Sequence, residues 1–246
     1  MVERSPITND ESRVPASSPV RGFALKALLW LPLAFVIWLA WAPLWVLPAM
    51  HLAKVVLVGL WGSLFDTLTL GGELLDGGGR VVARASYLVT VATHVQVTIA
   101  PSAAGAGGVG VLEPTLNPMV YAWSLPLFAG LTMATPLSTG RRLLQFALAL
   151  LAIWLAQAFG ICAEALKVLA FQSGSEGAAA VAQAHLNANV IGFAYQFAVL
   201  ILPAVLPAVL WMAFNRPFIE TLVRRDAEPG TPAEGHTKAR LPPDRD

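Results

Sequence analysis

The sequence predicts a mainly α-helical, polytopic membrane protein: four transmembrane helices with a small β-rich extracytoplasmic insertion between helices 1 and 2. Three observations carry this. Of the 246 residues, 56% are hydrophobic and only 13% charged, where a soluble domain carries about 25% charged residues. Two apolar runs, residues 119–136 and 143–159, are separated only by Leu137-Ser138-Thr139-Gly140-Arg141-Arg142. Each run is close to the ~20 residues a helix needs to cross the hydrocarbon core. Finally, residues 83–99 alternate apolar and polar with period two, the mark of a half-buried strand or a bent pair of strands.

The short basic link orients the chain. Arg141 and Arg142 hold it on the cytoplasmic side, because short loops rich in Lys and Arg stay inside. Residues 1–22 are polar, with Pro6, Pro15 and Pro19, and read as a disordered cytoplasmic tail. Residues 23–62 hold the first span, over 27–47, and its extension. This run is longer than a signal-peptide core and lacks a clean cleavage site, so it is retained. Pro32, Pro43 and Pro48 bend it. Trp30, Trp38, Trp41 and Trp45 fall on one arc, read as lipid-facing or interfacial packing, with a partner-binding stripe as the alternative.

Residues 63–116 form the extracytoplasmic loop. A candidate strand at 64–70 and a turn at Gly77-Gly78-Gly79 precede the alternating stretch. Arg80 and Arg84 are outnumbered by Asp66, Glu73, Asp76 and Glu113, as suits an outer loop. One side, Tyr87, Val89, Val91, Val95, Val97 and Ile99, is apolar and needs cover from the membrane helices or a partner. Residues 101–110, rich in Ala and Gly, read as a flexible tether.

Residues 117–222 are a three-helix membrane core. Asn117-Pro118 opens the second span, with Pro where a missing amide costs little. In the third span Ala152, Ala156 and Gly160 form a small-residue row that admits a close neighbour. Gln157 and Glu164 share one of its faces, and the helix continues past the membrane surface through 163–171. The fourth span, 190–214, places Pro203 and Pro207 on one face that packs on protein. Arg216, Arg224 and Arg225 follow it, so residues 223–246 are a second cytoplasmic tail and both ends lie inside.

The sequence offers little chemistry. A net charge of +1 argues against a nucleic-acid partner, and the lone Cys162 excludes a disulfide framework. No phosphate loop, metal-ligand cluster or dinucleotide fingerprint is present, and no cofactor is called for. Cys162 with His94 or His185 and Arg80 or Arg84 would make a thiol nucleophile with its base and oxyanion donor, but none of these stands in a recognisable motif. Glu164 is an acid near the membrane edge, explained as well by a local pair with Lys167 at i+3.

Four motifs in order bear a resemblance: Asn117-Pro118-Met119-Val120-Tyr121 with Leu125-Pro126-Leu127; Ala134-Thr135-Pro136; Tyr195-Gln196; and Leu202-Pro203 with Pro207 and Trp211. Together they resemble the exosortase H-associated membrane protein family, over roughly residues 117–222 and more loosely over the first span, with the outer loop and both tails adding nothing. The resemblance implies a bacterial inner-membrane protein that accompanies an exosortase, the transpeptidase-like enzyme processing proteins with a C-terminal sorting signal. Exosortases use Cys, Arg and His on membrane helices, a set that does not map onto this chain. The expectation is therefore a non-catalytic accessory protein whose partners are membrane lipid and an exosortase-type protein. Its candidate interaction and packing residues are Asn117, Pro118, Tyr121, Pro126, Pro136, Gln157, Tyr195, Gln196, Pro203, Pro207 and Trp211. A membrane cysteine enzyme, or a subunit of another envelope export or assembly complex, are the alternatives.

Overall fold

The computed structural model describes residues 19–75, 80–99 and 107–227. The chain begins with two helices, α1 (Pro19–Ala40) and α2 (Ala42–Trp61). Between them Trp41 leaves the helical region, at φ −116° and ψ 30°. Pro43 is the cause, since it has no amide for the Leu39 carbonyl and its ring crowds that oxygen. Tight hydrogen bonds on either side, Trp41 amide to Ile37 carbonyl at 3.2 Å and Leu44 amide to Trp41 carbonyl at 3.0 Å, keep the two helices joined. What the sequence suggests as one span with an extension is thus two apolar helices, each long enough to cross a membrane. Residues 19–22, expected in the tail, are helical, Pro19 being well placed at a first helical position. The rest of that tail, residues 1–18, lies outside the described residues.

After α2 come the strands β1 (Phe65–Leu75), β2 (Val81–Thr93), β3 (Gln96–Ile99), β4 (Gly108–Val111) and β5 (Thr115–Leu116). One antiparallel sheet has the order β1-β2-β5, and β3 pairs β4 in a second ladder. The alternating stretch is a bent pair: β2 and β3 part at His94, where the Val95 amide turns to Thr93 Oγ1 at 3.2 Å. Alternation sets the burial. Val89, Val91, Thr93 and Val95 are buried while Arg84, Ser86, His94 and Gln96 are exposed. Leu88, on the opposite side, is also buried. Gly71, at φ +94°, carries a register shift in the β1–β2 ladder, a backbone conformation that suits glycine. The expected Gly77-Gly78-Gly79 turn and residues 101–106 of the expected tether lie outside the described residues. Residues 108–110 belong to β4 instead, because their backbone groups complete the β3 ladder, with Thr98 opposite Val109.

The sheet's apolar side is closed by the chain's own helices. Val89 and Val91 are 0% exposed, in one core with Met50, Ala53 and Leu57 of α2. The same core takes in Ile161, Ala165 and Leu169 of α5 (Thr139–Gln172). This helix spans 34 residues, about 51 Å at 1.5 Å per residue, and continues past the third apolar run as the sequence suggests. Trp154 Nε1 donates to the Trp45 carbonyl at 3.1 Å and Cys162 Sγ to the Ala53 carbonyl at 3.8 Å. Residues 45 and 53 thus meet 154 and 162 in the same order, so α2 and α5 run parallel.

Between the sheet and α5 the chain returns through α3 (Met119–Ala122) and α4 (Ser124–Ala134). This limb is a shorter apolar helix than the others, about 24 Å for its 16 positions, where the sequence suggests a full span over 119–136. It stops because the residue before Pro136 avoids the α region, and Thr135 is extended at φ −80°, ψ 134°. Seven of the 11 residues of α4 are buried, so it runs inside the protein. The chain then closes with α6 (Gly174–Gln183), α7 (Ala188–Gln196), a π-helical turn (Phe197–Ile201), α8 (Leu202–Phe214) and α9 (Arg216–Ala227). Residues 223–227, expected in the C-terminal tail, belong to α9, whose Phe218 packs on Phe23 at 5.6 Å. Residues 228–246 lie outside the described residues.

Four apolar helical segments long enough to cross a membrane and a small antiparallel sheet are therefore present: α1, α2, α5, and α7 through α8. At one end α1 meets α8 and the turn after α4, with Phe23 stacked on Trp211 at 5.5 Å and Trp211 Nε1 donating to Thr135 Oγ1 at 2.9 Å. The sheet and α6 lie at the other. At Gly130 α1 and α4 touch. A Cβ there would fall 2.6 Å from Leu31 Cδ2 and 3.0 Å from its Cα. Overpacking such a contact costs about 1–3 kcal/mol. We expect Gly130→Leu to lower the thermal midpoint in detergent by several degrees. Gly59→Ala, which has nothing within 4 Å of its added Cβ, should unfold with the wild type.

Candidate functional site

Pro126 explains the centre of the site. Having no amide, it leaves the Ala122 carbonyl without its i+4 donor, and a buried unpaired carbonyl is costly. Gln157 answers from α5, its Nε2 donating to the Ala122 carbonyl at 3.5 Å. Gln157 is 1% exposed, and among the described residues its Oε1 has no hydrogen-bond partner. One helical turn on, Gly160 admits the ring of Tyr121, since an added Cβ would stand 2.9–3.1 Å from three ring atoms. The Tyr121 hydroxyl then donates to Glu164 Oε2 at 3.0 Å. The Asn117 backbone amide also donates to Glu164, while Asn117 Oδ1 accepts from the Met119 amide at 3.2 Å and caps α3. Gln157 and Glu164 share a face as the sequence suggests, and that face reads α3.

Lys167 turns the other way. Its Nζ sits 4.6 Å above the Tyr195 ring and donates to Gln172 Oε1 at 3.3 Å. So the acid hydrogen-bonds α3 and the base contacts α7, while the charges of Glu164 and Lys167 still act on each other, and the site is a three-helix junction. Asn117, Tyr121, Gln157 and Tyr195 converge here, with buried Pro118 opening α3. The other candidates lie apart. Pro136 is exposed in the turn after α4, whereas Pro203 and Pro207 are buried on α8. Trp211 binds Thr135 at the opposite end. Gln196 is exposed, just before the π turn in which the Leu202 amide reaches back to the Phe197 carbonyl. Pro203 favours that wider turn because it cannot serve the Val199 carbonyl.

The thiol set is spread out. Cys162 is 8% exposed and spends its hydrogen on Ala53. His94 lines a separate cavity with Glu176 and Gln183, and Arg84 pairs with Glu73 across the β1–β2 ladder. His185 does line one apolar groove with Cys162, about 520 Å³ in volume, between α2, α5 and α7. Among the described residues no group of three or more His, Cys, Asp or Glu side chains is placed to hold a metal.

The profile of the exosortase H-associated membrane proteins matches residues 17–218. The chain belongs to that family. The match takes in the sheet as well, to which the resemblance by motif does not extend. No curated protein and no solved structure is matched. For a family named for association with an exosortase, the motif residues now have structural parts: Pro126 with Gln157, Tyr121 with Glu164, and Pro203 with the π turn.

Sequence reasoning passed over one buried pair in this family member. Gln145 and Asn215 exchange side-chain hydrogen bonds at 3.2 and 3.3 Å. Two amides at intramembrane helix ends were the available signal, but they lie 70 residues apart.

The pairing of Pro126 with Gln157 is testable by a double-mutant cycle. Gln157→Leu should destabilise by about 1–3 kcal/mol, the cost of stranding a buried acceptor. In a Pro126→Ala background the Ala122 carbonyl regains an intrahelical donor, so the same change should cost clearly less. Equal costs in the two backgrounds, read from unfolding in detergent, would sink the pairing.

Proposed function

We propose that this protein is a non-catalytic inner-membrane accessory of an exosortase-type protein-sorting system, acting by binding the enzyme or its substrate. Family membership supports the system. One observation supports binding through a helix face. Gln196 sits exposed on a membrane-length apolar helix, and among the described residues its amide has no hydrogen-bond partner. Around it Val190, Phe193 and Leu200 are 64–70% exposed. A polar amide facing hydrocarbon is unfavourable, and interhelical partners relieve it. Gln196 would be the outward contact, with Tyr121, Gln157, Tyr195, Pro203 and Pro207 packing the helices that present it.

With an exosortase co-expressed in mild detergent, wild type should retain it and Gln196→Leu should lose much of it. A shared amide contact contributes about 1–2 kcal/mol in such settings. Unchanged recovery would remove Gln196 from the interface. The second reading, a thiol enzyme, is favoured by the groove that Cys162 and His185 share. Sorting activity surviving Cys162→Ala supports the accessory reading, and its abolition with normal protein level supports the enzyme.

In this reading both termini and the Arg141-Arg142 turn are cytoplasmic, by the bias of short basic loops. In a background lacking Cys162, single cysteines at Thr98 or Ser175 should react with an impermeant thiol reagent in spheroplasts. A cysteine at Ser138 should react only after permeabilisation. Labelling of Ser138 from outside would invert the orientation.

A further inference from the structure

The end of the bundle away from the sheet carries a cavity of about 370 Å³ among the turn after α4, the start of α5 and the α8–α9 junction. Arg141, Leu144, Gln145, Leu148, Asn215 and Phe218 line it. Its floor is the Gln145–Asn215 pair, and that pair is spent. Gln145 Nε2 is taken by Asn215 Oδ1 and the Phe214 carbonyl, and Asn215 Nδ2 by Gln145 Oε1 and the Trp211 carbonyl. The floor is therefore a rigid neutral wall. The one cationic side chain lining the cavity is Arg141, which makes no ion pair among the described residues. Leu144 and Leu148, 60% and 50% exposed, continue along the same face of α5 away from the basic turn, toward the apolar middle of the helix. The surrounding charge is mainly positive. Arg21, Lys26, Arg142, Arg216 and Arg224 stand near this end against Glu220 alone, among residues whose side chains are described.

A single cation at the mouth, a neutral polar floor and an aliphatic track in one cavity match a molecule with an anionic head and a hydrocarbon tail. We propose that this cavity is a binding site for an anionic phospholipid, its phosphate at Arg141 and an acyl chain along Leu144 and Leu148. Free phosphate shares the head chemistry but has nothing to place on the leucines. Opposite charge near a membrane surface attracts such headgroups, and the leucine track adds apolar burial that a surface attraction lacks.

The test uses the full chain in nanodiscs of phosphatidylcholine with phosphatidylglycerol added stepwise, read as thermal midpoint. Phosphatidylglycerol should raise the wild-type midpoint by several degrees in a saturable manner. Arg141→Gln should lose most of that gain. Leu148→Trp, which fills the track and keeps every charge, should lose it too. Arg224→Gln, outside the cavity lining, should keep it. Inorganic phosphate at matched concentration should leave the midpoint unchanged. Equal gains for Arg141→Gln and Arg224→Gln would mean diffuse attraction to a basic end and overturn the site. An equal gain from inorganic phosphate, or an unaltered response in Leu148→Trp, would overturn the lipid assignment.

Discussion

The carbonyl of Ala122 is the constraint around which this fold is arranged. Pro126 denies it a donor within its own helix, and in a protein surrounded by hydrocarbon no water stands ready to replace it. The chain solves this by laying the α3–α4 limb against α5, where the Gln157 amide reaches the unpaired oxygen. Once the limb lies there, Gly160 must be small enough for the Tyr121 ring, and Tyr121 in turn reaches Glu164. The limb also needs shielding on its remaining sides, which α1 provides through the Gly130 contact and α8 through Trp211 and Thr135. A short, proline-interrupted segment is thereby the most enclosed part of the bundle.

The two ends of the bundle are built on different physics. At the sheet end apolar burial dominates: one continuous core joins β-strand residues to α2 and α5, so the outer sheet and the membrane helices share a single interior. At the basic end the buried groups are polar, Gln145 with Asn215 and Thr135 with Trp211. They fix the meeting of helix ends by direction as well as by fit, since a hydrogen bond demands an angle where an apolar contact demands only volume. Ties of that kind hold α4, α5 and α8 in one relative register.

What the sequence disclosed follows the same division. The strand alternation was legible because one side is covered from Val89 to Val95 and the side-chain period of a strand is two. The long run of α5 was legible because few polar residues interrupt its apolar pattern, and Pro203 and Pro207 were legible as sharing one side of their helix because they lie one turn apart. The separation of α1 from α2 was only half legible. Pro43 marks a bend, but whether a bend becomes a break depends on α1 packing on α4 and α2 on α5, contacts no local pattern contains. The helix α9 was obscured by its charge, since Arg216, Glu220 and Arg224 mask an apolar side formed by Phe218, Ile219 and Leu222. Pairs such as Gln145 with Asn215, or Glu164 with Tyr121, join residues far apart along the chain and leave no spacing to read.

The π turn at Phe197–Ile201 decides which way two motif residues look. In an uninterrupted α-helix residues seven apart differ by only about 20° in helical phase, so Gln196 and Pro203 would project together. Widening one turn from i+4 to i+5 bonding inserts an extra residue and rotates everything beyond it by about 100°. Gln196 is thereby left facing outward while Pro203 and Pro207 turn into the bundle. A single continuous segment thus has two addresses, one internal and one external, and the offset between them is set by one residue of slack.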